Sequence, residues 1–332
     1  EEANFKRDHA NNNFWGGHGR WTGYKLRDLL RLCGVDVDGI ALGKKPLPAK
    51  YLKMTGHDAD ETGAPFGVSI PLEKVIDPFG DVLLATKLND EPLTPDHGFP
   101  LRVLVPGFAG VRNCKWLAEL ELSNELHECH VDTHTDEVIY PPDMTWEDNA
   151  ARTDHIDEKL EHYWKTNKVW RVMEMPIMSF VASPEPNEQF PVSQLGKSDG
   201  LTVRGYAFDG SGHRIARVDV SLDGGKTYSP AEVDDCGMEK QHRRNHHWSW
   251  YLWTKQIKLE DLSSEARQKL ANGQPVQLEV AARAMADNGN TQPSRADAPS
   301  LYNFVGNIIN SQTHTPVTII PGAKVAKKHR SK

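Results

Sequence analysis

The chain has 332 residues, enough for two domains at roughly 100–200 residues each. Hydrophobic residues make up 38% and charged residues 26%, which excludes a disordered or collagen-like chain, and no apolar run approaches the roughly 18 residues that cross a bilayer. The net charge of −7 argues against a nucleic-acid partner, and no membrane partner is expected.

Residues 23–33 read as a helix. Leu26, Leu29, Leu30 and Cys33 recur at helical spacing, which places Cys33 on the apolar face, and Gly34 supplies a stop. Short apolar strands follow at 52–54, 82–85 and 101–105, and another apolar run at 115–122. This part is α+β in character. Residues 123–170 are polar and His-rich, with a short helix expected at 154–163 and long loop elsewhere. A domain boundary is expected near residue 171.

Beyond it the pattern changes to period two. Ala216, Val218, Val220 and Leu222 alternate with Arg217, Asp219 and Ser221, and Asp223-Gly224-Gly225 then turns the chain. Further strands at 201–208, 248–253 and 276–284 predict an immunoglobulin-like β-sandwich, interrupted by a helix near 263–270 that opens on a Ser cap. Trp248, Trp250 and Trp253 are expected to pack within that sandwich, after a basic hairpin loop holding His242, Arg243, Arg244, His246 and His247. The division is therefore 1–170, 171–321 and a basic tail at 322–332.

The four cysteines, Cys33, Cys114, Cys129 and Cys236, show neither CxxC nor CxxCH spacing. Reduced thiols in a soluble intracellular protein are expected, with cytoplasm, mitochondrial intermembrane space and peroxisome not distinguished. The opening EEANFKRDHANNN lacks a signal-peptide core.

The richest segment is DHGFPLRVLVPGFAGVRNCKW, residues 96–116. His97, Arg102, Arg112 and Lys115 can form charge-assisted bonds to phosphate-like oxygens, and Gly98, Gly107 and Gly110 let backbone approach a ligand. Spacing alone leaves an anion site and a solvated basic loop equally open. His127, Cys129, His130 and His134, in HECHVDTH, offer a weaker alternative as a metal cluster, though the spacing fits no standard zinc finger. No GxSxG, HExxH, P-loop or Rossmann glycine pattern occurs.

The 96–117 segment matches the pattern DHGFPxRxxxPGxxGxRxxKWL, and on it the chain resembles the sulfite oxidase family, which includes eukaryotic nitrate reductases. GAPFGVSIPLEKVIDPFGDVLLATKLNDEPL, RVDVSLDGGKTY and the closing ADNGNTQP and YNFVGNIIN extend the resemblance over nearly the whole chain. It implies a mixed α/β molybdopterin-binding domain, N-terminally incomplete, followed by a dimerisation domain through which a homodimer forms. The implied cofactor is molybdopterin carrying molybdenum. Asp58, His97, Arg102, Asn113, Cys114 and Lys115 correspond to cofactor-contacting positions, with Arg112 as a possible addition. Trp15 and Val305 correspond to substrate-pocket positions. The implied reaction is oxidation of sulfite to sulfate by oxygen-atom transfer, with nitrate reduction as the alternative. A non-catalytic dimerising relative is the second alternative.

The departures bear on activity. The resemblance implies a molybdenum-ligating cysteine in a Cys-Ala-Gly-Asn-Arg-Arg type motif, and no such motif stands in this chain. A fragment of a longer enzyme is expected, inactive by itself. Val305 stands where sulfite oxidases carry an arginine, which favours nitrate. No haem-binding HPGG motif or flavin domain is visible, so haem or flavin, if used, lies off this chain, and a haem-type electron-transfer partner is implied.

Overall fold

The structure, a computed structural model, describes residues 19–135, 137–139, 169–197, 200–234, 246–295, 308 and 310–321. The side chains of 134–139 and 169–170 lie outside that description. So do the helix expected at 154–163, Cys236, the basic residues 242–244 and the tail from 322.

The first domain is built on two small sheets. In one, β1 (Trp21–Lys25) pairs antiparallel with β4 (Leu83–Leu88), which also pairs with β5 (Glu91–Pro92) and β6 (Arg102–Leu104). In the other, β2 (Tyr51–Ala59) lies between β3 (Pro65–Pro71) and β7 (Leu117–Ser123). Strand β2 shows why it forms: Leu52, Met54 and Gly56 alternate inward with period two. Their apolar face packs with Val68, Ile70, Val75, Val103 and Val105 in one core. The helices are α1 (Leu26–Leu32), α2 (Val37–Ala41) and α3 (Leu72–Ile76).

The structure corrects the expected helix at 23–33. Residues 21–25 are a strand, because their backbone completes the ladder on β4, and the helix begins only at Leu26. Leu26 and Leu30 are buried as expected, but Cys33 is the exposed C-cap of α1, since the helix ends before its apolar stripe reaches that position. Of the stretch 123–170, residues 136 and 140–168 lie outside the described residues. A π-helical turn spans Val131–Thr135, and β8 (Glu137–Ile139) pairs with β9 (Val169–Arg171).

The second domain is a two-sheet sandwich. One sheet runs β10 (Met178–Ser183), β12 (Thr202–Phe208), β16 (Tyr251–Gln256), β15 (Glu232–Asp234). The other runs β11 (Gln189–Pro191), β18 (His314–Ile320), β17 (Val276–Ala286), β13 (Ile215–Ser221), β14 (Ser229–Pro230). Val203, Tyr251 and Trp253 from the first meet Val218, Val220, Val280 and Val317 from the second. Helix α4 (Ser264–Ala271) is capped by Ser263, whose hydroxyl accepts from the Ala266 amide.

The alternation of β13 is broken by a bulge between Ile215 and Arg217, which leaves Ala216 exposed. Asp219 and Ser221, expected to face water, are buried. Asp219 accepts from Arg217 and Arg283, and the Ser221 hydroxyl donates to Asp223 at 2.8 Å. Asp223 also accepts from the amides of Lys226 and Thr227, so the turn is a longer hairpin loop rather than a two-residue one.

The two domains meet around Lys74 of α3. Its ammonium stands 4.1 Å from the Trp248 ring centroid and 5.3 Å from that of Phe108. Burial lowers its pKa to about 8, against the opposing pull of Glu174, Asp77 and Asp81. A lysine depressed in this way holds its proton less tightly when folded. Between about pH 8 and about pH 10.5 the unfolded chain binds more protons, so stability from this group rises with pH in that window. Lys74→Met removes the effect. Urea unfolding should show the wild-type-minus-variant stability difference growing by about 2–3 kcal/mol between about pH 7.5 and about pH 10.5. A flat difference would show that the aromatic rings compensate the burial in full.

Candidate cofactor site

Three chain segments converge where β2 ends. The first is the turn from Thr94 through Arg102, the second is Asn113–Leu117, and the third is Gly56–Asp58. The Val103 amide donates to Cys114 O at 2.8 Å, Leu117 to Leu101 O at 2.9 Å, and His57 to Trp116 O at 2.9 Å. Trp116 holds a left-handed backbone (φ 46°), a conformation costing an ordinary residue about 1–3 kcal/mol unless its surroundings fix it.

The side chains grip one 3₁₀ turn, Pro95–His97. Trp116 Nε1 donates to Pro95 O at 2.9 Å, Lys115 Nζ to Asp96 O at 2.8 Å, and Arg102 Nη1 to His97 O at 3.2 Å. Three consecutive carbonyls are thus each met by a different donor. Gly98 follows at φ 96°, and a Cβ there would lie 3.0 Å from Lys115 Cβ and 3.3 Å from Arg102 Cβ. The Thr94 hydroxyl and His97 Nδ1 share a 2.6 Å hydrogen bond, which leaves Nε2 of the exposed ring for a ligand.

Arg102 is 8% exposed, and its guanidinium stacks 4.9 Å from the Trp21 ring centroid. Burial lowers its pKa, with the neighbouring Cys114 acting the other way. Cys114 is fully buried. Burial and then the nearby Asp58 charge push its thiol up to about 12, against the pull of Arg102. Cys114 therefore lies within electrostatic reach of both Asp58 and Arg102. Two atoms here, Asp58 Oδ1 and Arg102 Nε, are buried without a partner among the described residues. Such atoms suit a ligand that brings both an acceptor and a donor, as the phosphate and ring N–H groups of a pterin cofactor do.

The structure brings Asp58, His97, Arg102, Asn113, Cys114 and Lys115 to this corner. Their roles differ. Asn113 is turned to its own loop: Oδ1 accepts from the Val105 amide at 2.6 Å and Nδ2 donates to Gly110 O at 3.1 Å. Arg112 points elsewhere. It is fully buried, paired with Asp132, and donates from Nε to Val172 O at 2.7 Å. Its place in the motif is a structural one, because a buried guanidinium needs a fixed partner. Trp15 and Val305 lie outside the described residues. The sequence reading missed Trp21, Thr94 and Trp116. Trp21 carried no signal in the sequence, because its partner Arg102 is distant along the chain.

The metal alternative at His127, Cys129, His130 and His134 is not supported. His127 Nδ1 accepts from the Cys129 amide and Nε2 bonds Thr55 Oγ1, each at 3.1 Å, and the ring lies against Gly67. Among the described residues no group of three His, Cys, Asp or Glu could hold a metal, and the His134 side chain lies outside them.

The model of the oxidoreductase molybdopterin binding domain matches residues 2–131, and that of the Mo-co oxidoreductase dimerisation domain matches residues 169–319. The chain belongs to the family that joins these two domains and includes sulfite oxidases and plant nitrate reductases. It is 33% identical over 310 residues to the mitochondrial sulfite oxidase of Drosophila melanogaster, covering 92% of this chain and 47% of that protein. It is 30% identical over 302 residues to NADH nitrate reductase 2 of Phaseolus vulgaris, covering 89% and 30%. The sulfane dehydrogenase SoxCD of Paracoccus pantotrophus is similar in structure, with TM-score 0.59 and 26% identity over 89% of this chain and 59% of that one. The chain thus spans less than half the length of these two curated relatives. No helix among the described residues is long and apolar enough to cross a membrane.

The Arg112–Asp132 pair yields a prediction. Asp132→Ala strands a buried guanidinium and should cost about 3–5 kcal/mol by denaturant unfolding. The double variant Arg112→Met/Asp132→Leu should recover more than half of that loss. Equal losses in the two variants would mean the pair itself carries little of the effect.

Proposed function

We propose that this chain carries the cofactor-cradling corner and the dimerising sandwich of a molybdenum-cofactor oxidoreductase that oxidises sulfite to sulfate. The observation that supports the reading best is the corner itself. Arg102 and Lys115 supply positive charge and His97 a ring nitrogen beside Asp58, with Asp58 Oδ1 and Arg102 Nε unpaired among the described residues. His97, Arg102 and Lys115 would hold the phosphate arm, and Asp58 would accept from the pterin ring. Bound molybdenum would supply the oxygen-atom transfer and the two-electron change. The chain's own groups bind and orient: Thr94 fixes the His97 ring, Trp21 covers Arg102, and Gly98 keeps the turn close to Lys115.

Cys114 is the cysteine at this corner among the described residues, and its side chain is fully buried in the first domain's core. Molybdenum ligation is therefore assigned to a further cysteine, and activity to the whole protein. The sandwich would form a homodimer, and electrons would leave to a haem-type partner. Nitrate reduction is the second reading, favoured by the apolar Val305 in a slot where sulfite oxidases carry arginine.

The test is expression of the whole protein in a molybdopterin-producing host, with elemental analysis and turnover of both anions. Stoichiometric molybdenum with sulfite turnover is expected. Arg102→Ala and Lys115→Ala should each weaken cofactor retention about 10- to 100-fold, the loss of one charge-assisted bond of about 1.5–3 kcal/mol. Nitrate turnover without sulfite turnover would overturn the substrate, and a molybdenum-free protein would overturn the cofactor reading.

A further inference from the structure

The loop between Val105 and Asn113 bends along the second domain. The Ala109 amide donates to Met173 O at 2.8 Å, the Met175 amide donates to Gly107 O at 2.9 Å, and Phe108 and Glu174 form an antiparallel bridge. Gly107 (φ 80°) has no room for a Cβ, which would strike the Gly210 carbonyl and come within 2.8 Å of Trp248 Cζ3. Trp248 occupies the junction. Its ring reaches Gly107 and Gly212 and stands over the Lys74 ammonium, while Nε1 donates to Asp81 Oδ2 at 2.9 Å.

This placement differs from the one read in the sequence. Trp253 is in the sandwich core and Trp250 stacks on Tyr206, with ring centroids 4.8 Å apart. Trp248 lies outside the core cluster, half-buried between domains. Its neighbour His246 is bound to the same Asp81 carboxylate. Loop residues 105–113 lead directly into Cys114 and Lys115, and within the loop the Asn113 side chain depends on Val105 and Gly110.

We propose that Trp248 is a positioning residue for the cofactor loop. By filling the space among Gly107, Gly212 and Lys74, it holds the loop in the conformation that presents Lys115, so cofactor retention depends on docking of the second domain. Linkage makes the dependence mutual: a ligand held by the loop tightens the docking. The cofactor half of the proposal rests on the function proposed above, whereas the loop half stands on geometry alone.

The experiment is hydrogen exchange on the whole chain without cofactor, comparing the loop 105–115 with β17, followed by molybdenum retention in the loaded protein. Trp248→Ala should speed exchange in the loop about tenfold and leave β17 unchanged. Trp248→Phe, which keeps a ring against Gly107 and loses the Asp81 bond, should stay within about threefold of wild type. Gly212→Ala, whose methyl would strike the Trp248 ring from the second domain without touching the loop, displaces the same ring and should match Trp248→Ala. It decides the matter should Trp248→Ala fail to fold. Unchanged loop exchange in the folded variants, or equal exposure in Trp248→Phe and Trp248→Ala, overturns the proposal. Wild-type protein lacking molybdenum overturns only the cofactor reading, because the exchange result needs no cofactor.

Discussion

Three carbonyl oxygens in a row, on Pro95, Asp96 and His97, are each held by a different side chain, Trp116, Lys115 and Arg102. A free 3₁₀ turn would leave the Asp96 and His97 oxygens to water, whereas the Pro95 oxygen also accepts from the Gly98 amide. Here the three side chains meet all three oxygens, which fixes the turn and draws two cations to one place. Cations so close repel one another unless acceptors lie between them, and the turn supplies those acceptors. The turn thus holds both cations in one fixed arrangement.

The same corner explains the chemistry of its neighbours. Cys114 faces a dry core, so its thiol stays protonated and inert, and the fully buried side chain serves packing. Arg112, two residues earlier, spends its charge inward on Asp132 and Val172. One short motif therefore holds residues of opposite direction: Lys115 toward the Pro95–His97 turn, Arg112 toward the frame. The frame includes the second domain, because Val172, Met173 and Met175 bond the loop directly. Asp81 joins the same interface. Burial opposes its charge, and bonds from Lys25, Trp248 and His246 outweigh burial and lower its pKa.

Much of the fold was legible in residues 201–284. Period-two strands there bury one face against a single core, and that spacing survives into the structure as β12, β13 and β17. Where the pattern failed, a local backbone event caused it. The bulge after Ile215 exposed Ala216, and ion pairs took Asp219 inside. At the other end, Tyr24 and Trp21 joined a strand because β4 offered a ladder, and nothing local to residues 21–25 announces a partner some sixty residues away.

The sequence by itself determined the chemical inventory. The resemblance carried by the pattern from Asp96 to Leu117 implied the family and the cofactor class, and the change to period two beyond residue 171 implied the two-domain plan, since both depend on residue type and order along the chain. Tertiary structure decided the assignment of duties. It sent Arg112 to Asp132, His127 to Thr55 and Trp248 to Gly107, and it set Trp21 on Arg102. Each of these depends on a partner distant in sequence. Side-chain identity fixes what a group can bond, but only the folded path of the backbone fixes which bond lies within reach.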